Sequence, residues 1–142
     1  MPAAYTIDLA RSLVLSRGWG VVTDRELFAH VRALTVDPRF AQHFRQLADL
    51  RDVTEVQQVT AATIREMVRL NPFWAVARRA LVVTSDEVFG WARMYQLLRD
   101  EWPDELLIFR NVDDALQWLG IADAKEELLL ALSQAPPIPG LD

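Results

Sequence analysis

Cysteine is absent from this 142-residue chain, which excludes disulfides, thiolate zinc sites and cysteine-based catalysis together. Glycine is scarce, at 5 residues, and no G-x-G-x-x-G or phosphate-loop pattern exists, so nothing points to nucleotide binding. Lysine occurs once, at Lys125, and every other basic residue is arginine. The formal net charge is −5 and no basic stripe develops, which argues against a nucleic-acid partner, whose affinity comes from clustered Lys and Arg. Long apolar runs are missing too. Leu128 to Leu132, the longest near the C-terminus, is far too short to span a bilayer. Asp8, Arg11 and Arg17 interrupt the first apolar runs, a pattern that fits neither a signal peptide nor a membrane span. A chain that needs no cross-links suits the cytosol, so a cytoplasmic location is the expectation. The two histidines, His30 and His43, have no companion at metal-ligand spacing. They read as surface or partner-lining residues, and neither a metal nor a cofactor is expected.

What remains is 51% hydrophobic, enough for one packed soluble core without staples. Tyr5, Ile7 and Leu9 alternate with polar residues as a half-buried strand does, and Leu13 to Leu15 reads as its hairpin partner. Gly18, Trp19 and Gly20 then interrupt, as at a bulge or bend. Thr23 with Glu26 forms a capping box before a helix reaching about Leu34. A central strand over Arg45 to Asp52 precedes a polar turn, Thr54 to Val59, and a helix capped by Thr60. Asn71 before Pro72 ends that helix. Arg79 to Thr84 is a strand apolar on both faces, followed by a helix capped at Ser85 or Asp86. Leu106 to Phe109 is the fifth strand, and Asn111 and Gly120 delimit the next helix. Ala122 to Leu132 reads as one more amphipathic helix, and Gln134 to Asp142 as a loose tail.

This alternation predicts an α/β fold: a mixed sheet of about five strands, an N-terminal hairpin and about four covering helices. Residues 1–120 form the domain, and 121–142 supply the last helix and the Pro-rich tail. Leu47, Leu50, Val82, Ile108, Leu116 and Leu119 are expected among the most buried positions.

The order and spacing of several short segments carry a family likeness. They are the hairpin leading to Gly20, Val21, Val22 and Thr23; then Leu47, Asp49, Leu50, Arg51, Asp52 and Val53; then Arg79 and Ala80; Phe89, Gly90, Ala92 and Arg93; and Ala115, Trp118 and Leu119. Over roughly residues 5 to 120, about one domain's length, the chain resembles the SpoIIAA-like bacterial proteins of STAS/SEC14 type. The resemblance implies a STAS-like fold. In the wider STAS class it also implies an Asp–Ser pair at the helix after the central strand, with the serine phosphorylated to switch partners. Thr60 is the nearest positional match, but Val59 stands where the aspartate belongs. The SEC14-like side implies lipid binding, and no residue here matches a lipid-contact motif.

In open α/β sheets the usual ligand crevice lies beyond the C-terminal strand ends. The predicted ligand or partner pocket is therefore Asp49, Arg51, Asp52, Thr54, Thr84, Ser85, Asp86, Arg110 and Asn111. Asp49 and Asp52 are also readable as acid–base or cation-binding carboxylates, or as a structural ion pair with Arg51. Thr60 is a candidate phosphorylation site and, more simply, an N-cap. Trp19, Phe73, Trp74 and Trp102 are candidate interface or pocket anchors. No catalytic constellation stands out, so the chain is not expected to be an enzyme. Two functional readings stay open. One is a noncatalytic regulatory or protein-interaction module, expected as a homodimer. The other is a carrier or sensor of a small apolar ligand or lipid, with a pocket under the helices.

Overall fold

The structure is a computed structural model that describes residues 2–74, 77–99 and 105–138. It contains five strands: β1 Ala3–Asp8, β2 Leu13–Thr23, β3 Arg45–Gln57, β4 Arg78–Val82 and β5 Glu105–Phe109. Five α-helices accompany them: α1 Asp24–Val36, α2 Ala61–Arg69, α3 Asp86–Leu98, α4 Val112–Leu119 and α5 Lys125–Ser133, the last preceded by a 3-10 turn, Ala122–Ala124. The strands form one sheet in the order β1-β2-β3-β4-β5; β1 runs antiparallel to β2, and all later pairs are parallel. The sheet is thus mixed, with an N-terminal hairpin, as the alternation predicts.

The strand order decides where the helices go. Right-handed crossovers between sequentially neighbouring parallel strands place every crossover helix on one face. α1, α2 and α3 accordingly cover the face presented by Val14, Ala48 and Leu81, while α4 and α5 cover Leu13, Leu15, Leu47, Ala80 and Val82 on the other. The local starts are chemically specified. Thr23 and Glu26 form the capping box of α1, Thr60 and Thr63 that of α2, Ser85 caps α3 and Asn111 caps α4. Gly120 closes α4 at φ 75°, a left-handed conformation that glycine adopts at little cost.

Four readings of the sequence need correction. β2 does not stop at Leu15: it runs on to Thr23, and the glycines mark two register irregularities against β3 rather than an end. Pairing with a long neighbour supplies the hydrogen bonds that let the strand continue past them. For the same reason β3 extends to Gln57, so Thr54 sits in a strand and not in a turn. Leu50 and Ile108 are only partly buried, while Leu47, Val82, Leu116 and Leu119 lie fully within the core. The tail from Gln134 is not loose as far as Ile138, and the helix before it packs into the core. Leu128 and Leu132 share the core of α4, Pro137 bridges to Ala4, and Ile138 is 1% exposed. Among the described residues no helix is long and apolar enough to cross a membrane.

Candidate functional site

The C-terminal strand ends bring several of the predicted residues together in one hydrogen-bonded edge. Arg51 donates twice to Asp49, at 2.8 and 2.9 Å, and that carboxylate is 5% exposed. Thr84 Oγ1 donates to the Arg51 carbonyl at 2.8 Å. Arg110 reaches the Thr84 carbonyl at 3.1 Å and Asp86 at 3.2 Å, with its guanidinium 4.4 Å above the Phe89 ring. Ser85 and Asn111 are engaged as caps, accepting from the Val88 and Asp114 N–H groups. Asp52 and Thr54 are exposed on β3, apart from this edge. The paired polar groups tie β3, β4 and β5 to the helices that follow. The crevice on which the expectation rested needs a reversal of strand order, and the sequential order of this sheet has none.

Thr60 is exposed, and its Oγ1 accepts from the Thr63 N–H at 3.3 Å while Thr63 Oγ1 accepts from the Thr60 N–H. The aromatic candidates separate. Trp19 is half-buried, with the Arg17 guanidinium 4.4 Å over its ring. Phe73 is buried, edge-on to Phe40, and covered by Arg79 at 4.4 Å. Trp74 is 55% exposed. Trp102 lies outside the described residues.

A cavity of about 190 Å³ lies elsewhere, between the sheet and the three crossover helices. Its floor is Ser16 and Gly18 of β2 with Gln46, Ala48 and Leu50 of β3; its walls include His30 and Leu34 of α1, Ile64 and Met67 of α2, and Ala92 and Tyr95 of α3. Small side chains at the inward positions of adjacent strands leave this space, because close-packed interiors otherwise hold few voids larger than water. A Cβ at Gly18 would stand 3.3 Å from Leu50 Cδ2 and 3.4 Å from Val53 Cγ2, so those side chains would have to shift by a few tenths of an ångström to admit one. None of the nine predicted pocket residues lines the cavity, whereas Phe73 does.

The cavity is polar at one end. Gln46 and Arg79 are register partners near the starts of β3 and β4. There Arg79 Nε donates to Gln46 Oε1 at 3.0 Å, and Gln46 Nε2 donates to Ser16 Oγ at 3.1 Å. Ser16 Oγ then lies 2.8 Å from His30 Nε2. The hydroxyl, accepting from Gln46, can either donate its proton to the imidazole or accept a second bond from it, according to the His30 tautomer. Arg79 Nη1 also donates to Asn71 Oδ1 at 3.1 Å and to the Tyr95 hydroxyl at 3.0 Å. The guanidinium is thus buried with hydrogen bonds and a stacked Phe73 ring to offset its desolvation. Burial, and next the charge of Arg79, push the His30 imidazole down to about 4, so it is neutral near pH 7. The far end, formed by Val22, Val53, Val56 and Val59, is mainly apolar, with Glu26 of the first turn of α1 also in its wall.

No single segment announces this row. His30 reads as a surface histidine from sequence, and Ser16, Gln46 and Tyr95 are each one polar residue in an apolar setting. The available signal is that three neighbouring strands each place a polar side chain on the inward face. Among the described residues no cluster of three or more His, Cys, Asp or Glu side chains could hold a metal ion.

No protein-family model matches the chain, and no curated protein matches it in sequence. Among solved structures it is similar to an uncharacterised protein of the DUF3478 family from Shewanella loihica PV-4, described as having a SpoIIAA-like fold. The two share 16% identity at a TM-score of 0.55, over 82% of this chain and 93% of the other. Together with the five-stranded mixed sheet and its helices, that likeness gives this chain a SpoIIAA-like fold.

Proposed function

We propose that this chain is a noncatalytic, STAS-like binding module whose cavity under α1, α2 and α3 takes up a small, mainly apolar molecule. The observation that carries the reading is the cavity itself: about 190 Å³, half open to solvent and lined by apolar side chains over most of its wall. An apolar cavity of about 150 Å³ stays dry and binds benzene, so this one suits a single ring with a short arm or a short chain rather than a two-chain lipid. The Ser16–His30 pair does not argue for catalysis. A base held down to about 4 is poorly matched to proton abstraction near neutral pH, and Ser16 Oγ is already an acceptor for Gln46.

The test is native mass spectrometry of the full chain after gentle purification, followed by NMR titration with small aromatic and short-chain compounds. Retained adducts, or shifts confined to cavity residues, support the reading; neither one overturns it. The protein-interaction reading, with a homodimer, draws on exposed Trp74. Light scattering at micromolar concentration addresses it: a monomer mass with Trp74 open to quencher removes that support.

A further inference from the structure

Resting on the cavity reading above, we infer that the ligand is a small uncharged carbonyl compound. Its oxygen accepts from Tyr95 and Gln46 at the polar end of the cavity, and its apolar body lies toward Val53, Val56 and Val59. The polar row leaves two donors over. Gln46 Nε2 carries two protons, and Ser16 Oγ takes one of them. Tyr95 Oη accepts from Arg79 Nη1, so its own proton is directed elsewhere. Among the described residues no acceptor meets that hydroxyl proton or the second amide proton of Gln46. Both side chains line the cavity and both are buried, Tyr95 at 9% exposure and Gln46 at 3%. A buried donor without an acceptor is costly, and two of them in one wall call for an oxygen.

The two donors belong to the same end of the cavity, because one guanidinium holds both residues: Arg79 Nε donates to Gln46 Oε1 and its Nη1 to Tyr95 Oη, each at 3.0 Å. A hydroxyl that accepts from a cation is itself a stronger donor. A carbonyl oxygen has two lone pairs and no proton of its own to place, so it can take both bonds. An alcohol would bring a further proton that needs an acceptor in turn.

The wall also decides the ligand's charge. Arg17, Arg79 and Glu26 all stand in it. Arg79 is engaged by Gln46, Asn71 and Tyr95, Glu26 by the Thr23 N–H and hydroxyl, and the Arg17 guanidinium lies 4.4 Å over the Trp19 ring. Charges of both signs share the wall, so neither sign of ligand is favoured throughout. A carboxylate at the polar end would exchange its hydration for two neutral donors, a loss that a neutral dipole avoids. By the benzene comparison, about one ring with a short acyl arm fills the space.

The experiment is NMR titration of the full chain and of Tyr95→Phe at pH 7 with three compounds of similar shape: acetophenone, its hydrocarbon counterpart α-methylstyrene, and benzoate. Tyr95→Phe should weaken acetophenone about two- to tenfold, the worth of one neutral hydrogen bond, and leave α-methylstyrene unchanged. If Tyr95→Phe does not fold, the infrared carbonyl stretch of acetophenone bound to the unmodified chain decides. Hydrogen bonding places it below its position in an alkane solvent, and an unshifted stretch overturns the inference. An equal loss for both neutral compounds, or a loss for neither, also overturns it and leaves the cavity reading standing. Benzoate binding more tightly than acetophenone overturns the uncharged class and moves recognition to the cations of the wall, Arg17 first. Binding of none of the three overturns both readings.

Discussion

Ala48 and Ala80 sit on adjacent strands one register position apart, Ala80 opposite Leu47 and Ala48 opposite Leu81, and they face opposite sides of the sheet. Both are buried, at 5% and 0% exposure, yet only Ala48 lines the cavity. The same substitution to leucine should therefore have opposite signs at the two positions. At Ala48 the three added carbons enter empty apolar space, worth about 2.4 kcal/mol at roughly 0.8 kcal/mol per buried methylene. Fixing the leucine rotamer takes back about 0.5–1 kcal/mol, leaving a gain of about 1.5 kcal/mol. With an unfolding entropy of about 2.1 cal/mol/K per residue over 142 residues, Tm should rise by roughly 5 °C. Ala80→Leu forces the same atoms into the packed face against α4 and α5, at a cost of about 1–3 kcal/mol, and Tm should fall by a comparable or larger amount. Differential scanning calorimetry with urea denaturation measures both. Ala48→Leu should also abolish binding of any small molecule that the unmodified chain takes up. If both variants lose stability equally, the face under α1, α2 and α3 is as closely packed as the other, and the cavity reasoning fails.

Other expectations follow from single groups. His30 is held down to about 4 in the folded chain against about 6.5 unfolded. The unfolded state therefore binds the extra proton between those values, and stability is full above pH 6.5 and declines as the pH falls toward 4, by up to about 3 kcal/mol. Urea midpoints from pH 7 to 4 should show that slope, and His30→Gln should flatten it. Asp37, held below the usual carboxylate range first by its hydrogen bond from Arg39, acts in a separate window: its contribution is present above about pH 4 and lost at lower pH. Thr60→Ala removes the α2 cap and should cost about 0.5–2 kcal/mol, with Thr60→Asp restoring most of it; equal stability of all three would show that the cap contributes nothing. Gly20 is held at φ 64°, so Gly20→Ala should cost about 1 kcal/mol by chemical denaturation despite open space around it.

Much of the architecture is legible because it rests on local chemistry. The capping pairs at Thr23 and Thr60, the proline after Asn71 and the glycine at 120 are short-range signals, and each marks a real helix boundary. Helix-strand alternation then leaves few topologies. Strand ends are less legible, because β2 and β3 extend one another: Gly18 to Thr23 and Val53 to Gln57 are polar or glycine-bearing stretches held in strand by each other's ladder bonds, which no sequence window contains. The burial of Ile138 is likewise set by β1, more than a hundred residues away, through the Ala4–Pro137 bridge.

The candidate site is encoded in register, which is why motif reasoning looks in the wrong place for it. Ser16, Gln46 and Arg79 become neighbours only because Gln46 pairs with Val14 on one side and Arg79 on the other. A one-residue slip of β3 would turn Gln46 to the opposite face and put Leu47 in its place, breaking the row between Arg79 and Ser16 at once. Helix α1 must also hold its phase, since His30 reaches Ser16 while the preceding Ala29 packs into a separate core cluster. The C-terminal edge, by contrast, is readable in sequence because Asp49 and Arg51 are two residues apart and Ser85 and Asn111 are caps. Those short-range groups satisfy one another, and satisfied groups fasten strands to helices. The inward-facing row combines a buried cation, a neutral imidazole and adjoining apolar space, and the proposed uptake of a small molecule rests on that combination, assembled from four separate elements.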